Sequence, residues 1–141
     1  MSQPLPTEQE YAGQRLGLPA DGSRSVASWG RRVAALFVDW FACLLVTQVI
    51  GTLGGLSDAT LRSLPLLVFL VEGTLFTAVA AGSFGQLALR IAVVRLDGRR
   101  LTIFHTFVRT LLICLVIPPV VFNRDNRGLH DLAVNTITVR R

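Results

Sequence analysis

Two apolar runs constrain this chain more than any other feature. Residues 33–56 are 24 in number and carry a single charge, Asp39; residues 64–84 number 21 and carry a single charge, Glu72. A helix of roughly 20 apolar residues crosses the hydrocarbon of a bilayer, so both runs are long enough to do so. The link between them, SDATLRS, is short and nearly neutral. Composition agrees: 51% of the chain is hydrophobic and only 16% is charged, where a soluble domain carries about 25%. Mean hydropathy is +0.53. All 14 basic residues are arginine, and 9 acids leave a net charge of +5. These arginines flank apolar runs, which suits anionic lipid headgroups and control of topology, with no nucleic acid as partner.

The flanks are of several kinds. Residues 1–28 are polar, rich in Pro, Gly and Ser, and without sustained periodicity. They read as a tail, disordered when the protein is alone, with no signal peptide. A sharper reading makes them a partner-binding arm anchored by Tyr11, Leu16 and Leu18. Trp29 suits an interfacial anchor, and Pro65 suits a first helical turn. Ala78 and Gly82, like Ala81 and Gly85, are small residues four apart, a spacing that lets helices approach closely. In 86–102, four arginines surround Asp97-Gly98, a hairpin signal. The last residues, NTITVRR, also alternate like a strand, so a small cytoplasmic sheet joining the two stretches is an option.

The third apolar segment, 103–122, contains His105 and Arg109 and reaches Pro118-Pro119, where a helix would break. Only 110–122 is free of charge, a length that suits a re-entrant or interfacial element. Arginines precede the first span, follow the second and fill the C-terminal tail. The positive-inside rule puts the first two regions in the cytoplasm and favours the same side for the tail, hence a re-entrant third segment, with three full spans as the alternative. The fold expected is therefore an all-α membrane protein, with two transmembrane helices, a third segment that is re-entrant or transmembrane, and a small β-hairpin.

The charges inside the apolar runs need partners. Asp39 lies seven residues after Arg32, on the same helical face and roughly 10 Å deeper. Arg109 lies at a depth of roughly 9 Å by the same rise, which makes Asp39–Arg109 a candidate intramembrane ion pair. An unpaired carboxylate there costs at least about 3 kcal/mol. Such a pair either docks helices or lines an ion path, and both readings stand. Glu72 lies deeper without an obvious partner, as a protonated hydrogen-bonding group or an ion-coupling carboxylate. His105 reads as a polar anchor or a proton donor, and His130 as a surface residue. Cys43 and Cys114 read as small buried hydrophobes. No nucleophile motif, metal-ligand cluster or phosphate-binding loop occurs, so no enzyme, cofactor or metal is expected.

The pattern RVAALFVD at 32–39 and RGLHD at 127–131, with SFGQLALRIAVV from Ser83, Asp97-Gly98, Arg109 and LAVNTITV at 132–139 between and after them, resembles the RDD family. These are small prokaryotic membrane proteins named for one arginine and two aspartates. The resemblance covers about residues 29–141 and assigns the three positions to Arg32, Asp39 and Asp131. Where the family often has glycine-lysine, this chain has Gly85-Gln86, so a headgroup or ligand held by that lysine would lack it here. The family implies a bacterial inner membrane, with solute or ion transport as its suggested role. At 141 residues, one copy has too few spans to enclose a pathway. The favoured reading is therefore a non-catalytic accessory or assembly subunit of a larger membrane complex. The alternative is a homo-oligomeric ion or small-solute transporter that uses Asp39 and Glu72. Partners would be lipid with anionic headgroups, other membrane subunits or further copies of the chain.

Overall fold

The fold is known from a computed structural model that describes residues 9–115 and 123–141. The end of the third apolar segment, with its paired prolines, and the first eight residues of the leader lie outside the described residues. In chain order the elements are α1 (Trp29–Gly54), α2 (Asp58–Ala80), α3 (Phe84–Ala88), β1 (Ile91–Arg95), α4 (Ile103–Cys114), α5 (Leu129–Ala133) and β2 (Thr136–Arg140). A turn of 3-10 helix, Gln14–Leu16, precedes them.

Both long helices begin earlier than hydropathy predicts, because serine caps lie upstream of the apolar runs. Ser28 accepts from the Arg31 amide and draws Trp29–Arg32 into α1. Ser57 accepts from the Thr60 amide, with Asp58 in the positive first turn of α2. Pro65 therefore lies inside α2 rather than in its first turn. It removes one helical hydrogen bond, to the carbonyl of Leu61. At 26 and 23 residues the helices are roughly 39 and 35 Å long by helical rise. Both are long and apolar enough to cross a membrane.

Their polarity is inverted relative to a soluble bundle. The buried residues of α1 are Ala35, Asp39, Cys43, Thr47 and Gly51, every fourth position and all small or polar. Phe37, Phe41, Leu45 and Leu53 face outward. Of the apolar windows of α1 and α2, only 22% and 28% is buried within the chain. The shorter α4 repeats the pattern: Thr106, Arg109 and Thr110 are buried, while Phe104, Phe107 and Leu111 are exposed. Helix α2 packs against both α1 and α4, and α3 packs against α1.

The strands correct the local hairpin. Asp97-Gly98 does turn the chain, and Asp97 accepts from the Arg99 amide at 3.0 Å. The chain then enters α4, because Thr102 caps that helix by accepting from His105 N. The antiparallel partner of β1 is β2, with Ile91 opposite Arg140 and Arg95 opposite Thr136. The expected joining of the two stretches into one small sheet is present.

The leader differs from the disordered tail expected. From Gln9 onward it is held against the chain. Its backbone runs beside β2, with Ala27 N donating to Thr138 O at 3.0 Å and Arg140 N donating to Ser25 O at 2.8 Å. Asp125 anchors the upstream part, accepting from Gly13 N at 3.2 Å and pairing with Arg15 at 3.3 Å. An otherwise unpaired edge of β2 explains why a polar segment takes structure here. The would-be anchors Tyr11, Leu16 and Leu18 are half-buried within the chain itself.

Close approach of α3 to α1 depends on Gly85. A Cβ there would stand 2.0 Å from the Ala35 carbonyl oxygen and 3.0 Å from the Asp39 carboxyl carbon. At Gly54 a Cβ would meet only Leu56, at ordinary distances of 3.5 and 3.7 Å. We expect Gly85→Ala to cost about 3 kcal/mol by overpacking. Gly54→Ala should be neutral or gain up to about 1 kcal/mol from helix propensity. Thermal melting of the two variants in mild detergent checks this, and equal midpoints would contradict the packing described.

Candidate functional site

The charged residues singled out in the sequence converge at one end of the helices, in two clusters. The first is built around Asp131. Its carboxylate is fully buried on α5. Arg109 Nε donates to it at 2.9 Å and Thr136 Oγ1 at 2.9 Å. Arg32 Nη1 stands 3.7 Å away, as does His130 Nε2. Arg109 also donates to Thr138 Oγ1 at 3.3 Å. Arg32 donates to Thr138 O at 3.1 Å and to Asn126 O. One carboxylate thus connects α1, α4, α5 and β2. Arg127, also buried, donates to Thr136 O at 2.9 Å and braces the same turn.

The second cluster surrounds the start of α3, whose first amides have no partner within the helix. Ser83 caps it in a capping box with Gln86: Gln86 N donates to Ser83 Oγ at 3.4 Å, and Ser83 N donates to Gln86 Oε1 at 3.0 Å. Two carboxylates from the long helices take neighbouring donors. Asp39 accepts from Ser83 Oγ at 2.6 Å and from Gly85 N. Glu72 accepts from Phe84 N at 2.6 Å. Both acids of the apolar runs are therefore spent, at least in part, on one helix end.

This arrangement replaces the Asp39–Arg109 pair expected from depth alone. The two residues do line one cavity of about 80 Å³, together with Thr77, Thr110 and Gln86. Arg109 is committed to Asp131, however, and Asp39 to Ser83 and Gly85. The depth argument could not weigh Asp131, because α5 lies far along the chain and its burial is set by tertiary packing. His130 is likewise buried beside Asp131, not on the surface. His105 sits at the first turn of α4, its Nδ1 2.5 Å from Thr102 Oγ1, and takes no part in either cluster. Ser83 and Gln86 were missed as site residues, although S-F-G-Q is a readable capping-box pattern. Thr136 and Thr138 carried no such signal.

Residues 26–135 match the model of the RDD family. The chain belongs to that family. No curated protein and no solved structure matches it. Of the three positions in the RDD pattern, Arg32 and Asp131 meet, while Asp39 faces the same cavity from the α3 side. Gln86 is used in this chain to close the capping box.

The electrostatics of Asp131 follow from its neighbours. Burial alone would push its carboxyl up. The guanidinium of Arg109 pulls it down, helped by His130 and Arg32, and the result lies well below the usual carboxylate range. A depressed folded-state value means that the stabilisation is complete above the unfolded value of about 4 and is lost as pH falls toward the folded one. We expect the unfolding midpoint to drop on acidification below about pH 4. Asp131→Asn should cost about 3–5 kcal/mol at neutral pH by leaving buried guanidinia unpaired, and should flatten that acid limb. A pH series of detergent melts for both proteins measures it; an unchanged acid limb would contradict this role for Asp131.

Proposed function

We propose that this RDD-family chain is a small, non-catalytic integral membrane protein of the bacterial inner membrane. We further propose that it serves as an accessory or assembly subunit of a larger membrane complex. The observation that carries this reading is the inverted polarity. Small and polar residues are used up inside the chain, and a continuous apolar exterior is left on α1, α2 and α4 for lipid and neighbouring subunits. In lipid, helices associate through close packing and polar contacts rather than hydrophobic burial, which suits this interior. Arg31, Arg32, Arg90 and Arg95 fall at the same end as the β1–β2 sheet, and the positive-inside rule then supports a cytoplasmic N-terminus. The ionisable groups bind one another and backbone amides, an arrangement suited to holding elements together.

One observation favours the transport alternative: Asp39 and Arg109 share a cavity large enough for water. A pathway would need several copies, because two long helices cannot enclose one.

Asp39→Asn separates the two. Its amide can keep one acceptor for Gly85 N, while the Ser83 hydroxyl rotates, so the loss should be about 1–2 kcal/mol. On the accessory reading, the variant is less abundant in the native complex, and wild-type proteoliposomes carry no flux above empty vesicles. Flux in wild type that disappears in Asp39→Asn at normal abundance supports transport. Mass measurement after gentle-detergent purification checks the assembly itself: a heterologous complex is expected, and a homo-oligomer alone would contradict it.

A further inference from the structure

The cavity beside Asp39 does not end there. It shares Leu36, Phe69 and Ile113 with an apolar groove of about 300 Å³ lined by Phe37, Trp40, Leu66 and Cys114. The two adjoin through these shared residues of α1, α2 and α4. Their lining advances in step on all three helices: from Arg32 to Trp40 on α1, from Arg109 to Cys114 on α4, and from Thr77 to Leu66 on the antiparallel α2. Leu66 and Thr77 stand eleven positions apart on α2, roughly 16 Å along its axis. One end is polar and cationic, and the other is hydrocarbon-like.

The polar end carries more guanidinia than carboxylates. Its wall presents the guanidinia of Arg32 and Arg109 against the single carboxylate of Asp39. Asp131 stands behind the two arginines, and the buried Arg127 adds a third guanidinium beside the wall residue Gly128. Two donors are buried there without an acceptor among the described residues: Arg32 Nε and the hydroxyl of Thr77, a residue only 1% exposed. Buried donors are normally satisfied. An acceptor-rich group carrying one negative charge would satisfy these, and phosphate oxygens form the strong charge-assisted bonds that guanidinia favour. Trp29 at the rim suits the headgroup level.

We propose that this groove seats one anionic phospholipid. Its phosphate lies among Arg32, Arg109 and Thr77, and one acyl chain runs over Leu36, Phe69 and Ile113 to Leu66 and Trp40. The proposal rests on the chain lying in a bilayer, and it goes further by giving the cavity an occupant. Inorganic phosphate would match the polar end only; the adjoining apolar groove is what selects a lipid. A lipid seated there also closes the cavity to ion passage.

The test uses the full-length protein, delipidated in mild detergent and examined by native mass spectrometry with phosphatidylglycerol, phosphatidylcholine or inorganic phosphate. Recovery from the membrane fraction is scored first, so that a failure of the membrane reading is recognised as such. One phosphatidylglycerol should remain per chain, preferred over phosphatidylcholine by about tenfold or more. Thr77→Val, which keeps the side-chain shape, should reduce its retention severalfold. Leu66→Trp, which fills the apolar end from a half-exposed position, should do the same. Equal retention of the two lipids, binding of inorganic phosphate as tight as that of phosphatidylglycerol, or unchanged retention in Thr77→Val would each overturn the proposal. Because Thr77→Val is nearly isosteric, the test stands even where Leu66→Trp fails to fold.

Discussion

The contact between the Asp131 carboxylate and the guanidinia of Arg109 and Arg32 is the constraint on which the rest of this structure depends. It joins the start of α1, the middle of α4 and the α5–β2 turn through one fully buried acid. Burying two arginines is costly, and their mutual approach adds repulsion. A single carboxylate between them, with Thr136 and Thr138 completing the hydrogen bonds, offsets both. Remove it and Arg32 is left with two backbone carbonyls, and the buried Arg109 with the Thr138 hydroxyl. The sheet depends on the same joint, because β2 carries both threonines and pairs with β1 on one side and the leader on the other.

The second joint uses the opposite chemistry. A short helix, α3, presents free amides, and carboxylates from α1 and α2 accept them. The two joints lie on either side of one cavity. Between them they explain how acids survive inside apolar helices. Asp39 takes its donors from the Ser83 hydroxyl and Gly85 N, and Glu72 takes one from Phe84 N, its other oxygen being buried without a partner among the described residues. The large apolar side chains, freed from internal packing, form the exterior of the molecule. That division of labour is what a bilayer or an apolar partner surface requires, and it underlies the accessory-subunit reading.

Hydropathy reported the two long helices faithfully because their outward faces are apolar over most of their length. It misplaced their starts, because Ser28 and Ser57 act through single hydrogen bonds that no hydropathy window registers. The family pattern identified Arg32, Asp39 and Asp131 from short motifs, but not which of them meet. Depth along a helix can suggest a pair such as Asp39–Arg109. It cannot reveal that a five-residue helix at 129–133 brings a better acceptor. The Asp97-Gly98 turn was readable from its residues, whereas the choice of strand partner was not: Thr102 diverts the chain into α4, and pairing with β2 is long-range. The leader looked disordered by composition, and what holds its local turns against the chain is the β2 edge and Asp125.

The central claim is that Arg109 and Asp131 act as one unit. A double-mutant cycle tests it most directly, with Arg109→Gln, Asp131→Asn and the double variant unfolded in the same detergent. The account predicts a coupling of about 2 kcal/mol or more, with the double variant more stable than the sum of the single losses implies. Additivity within about 0.5 kcal/mol would contradict it.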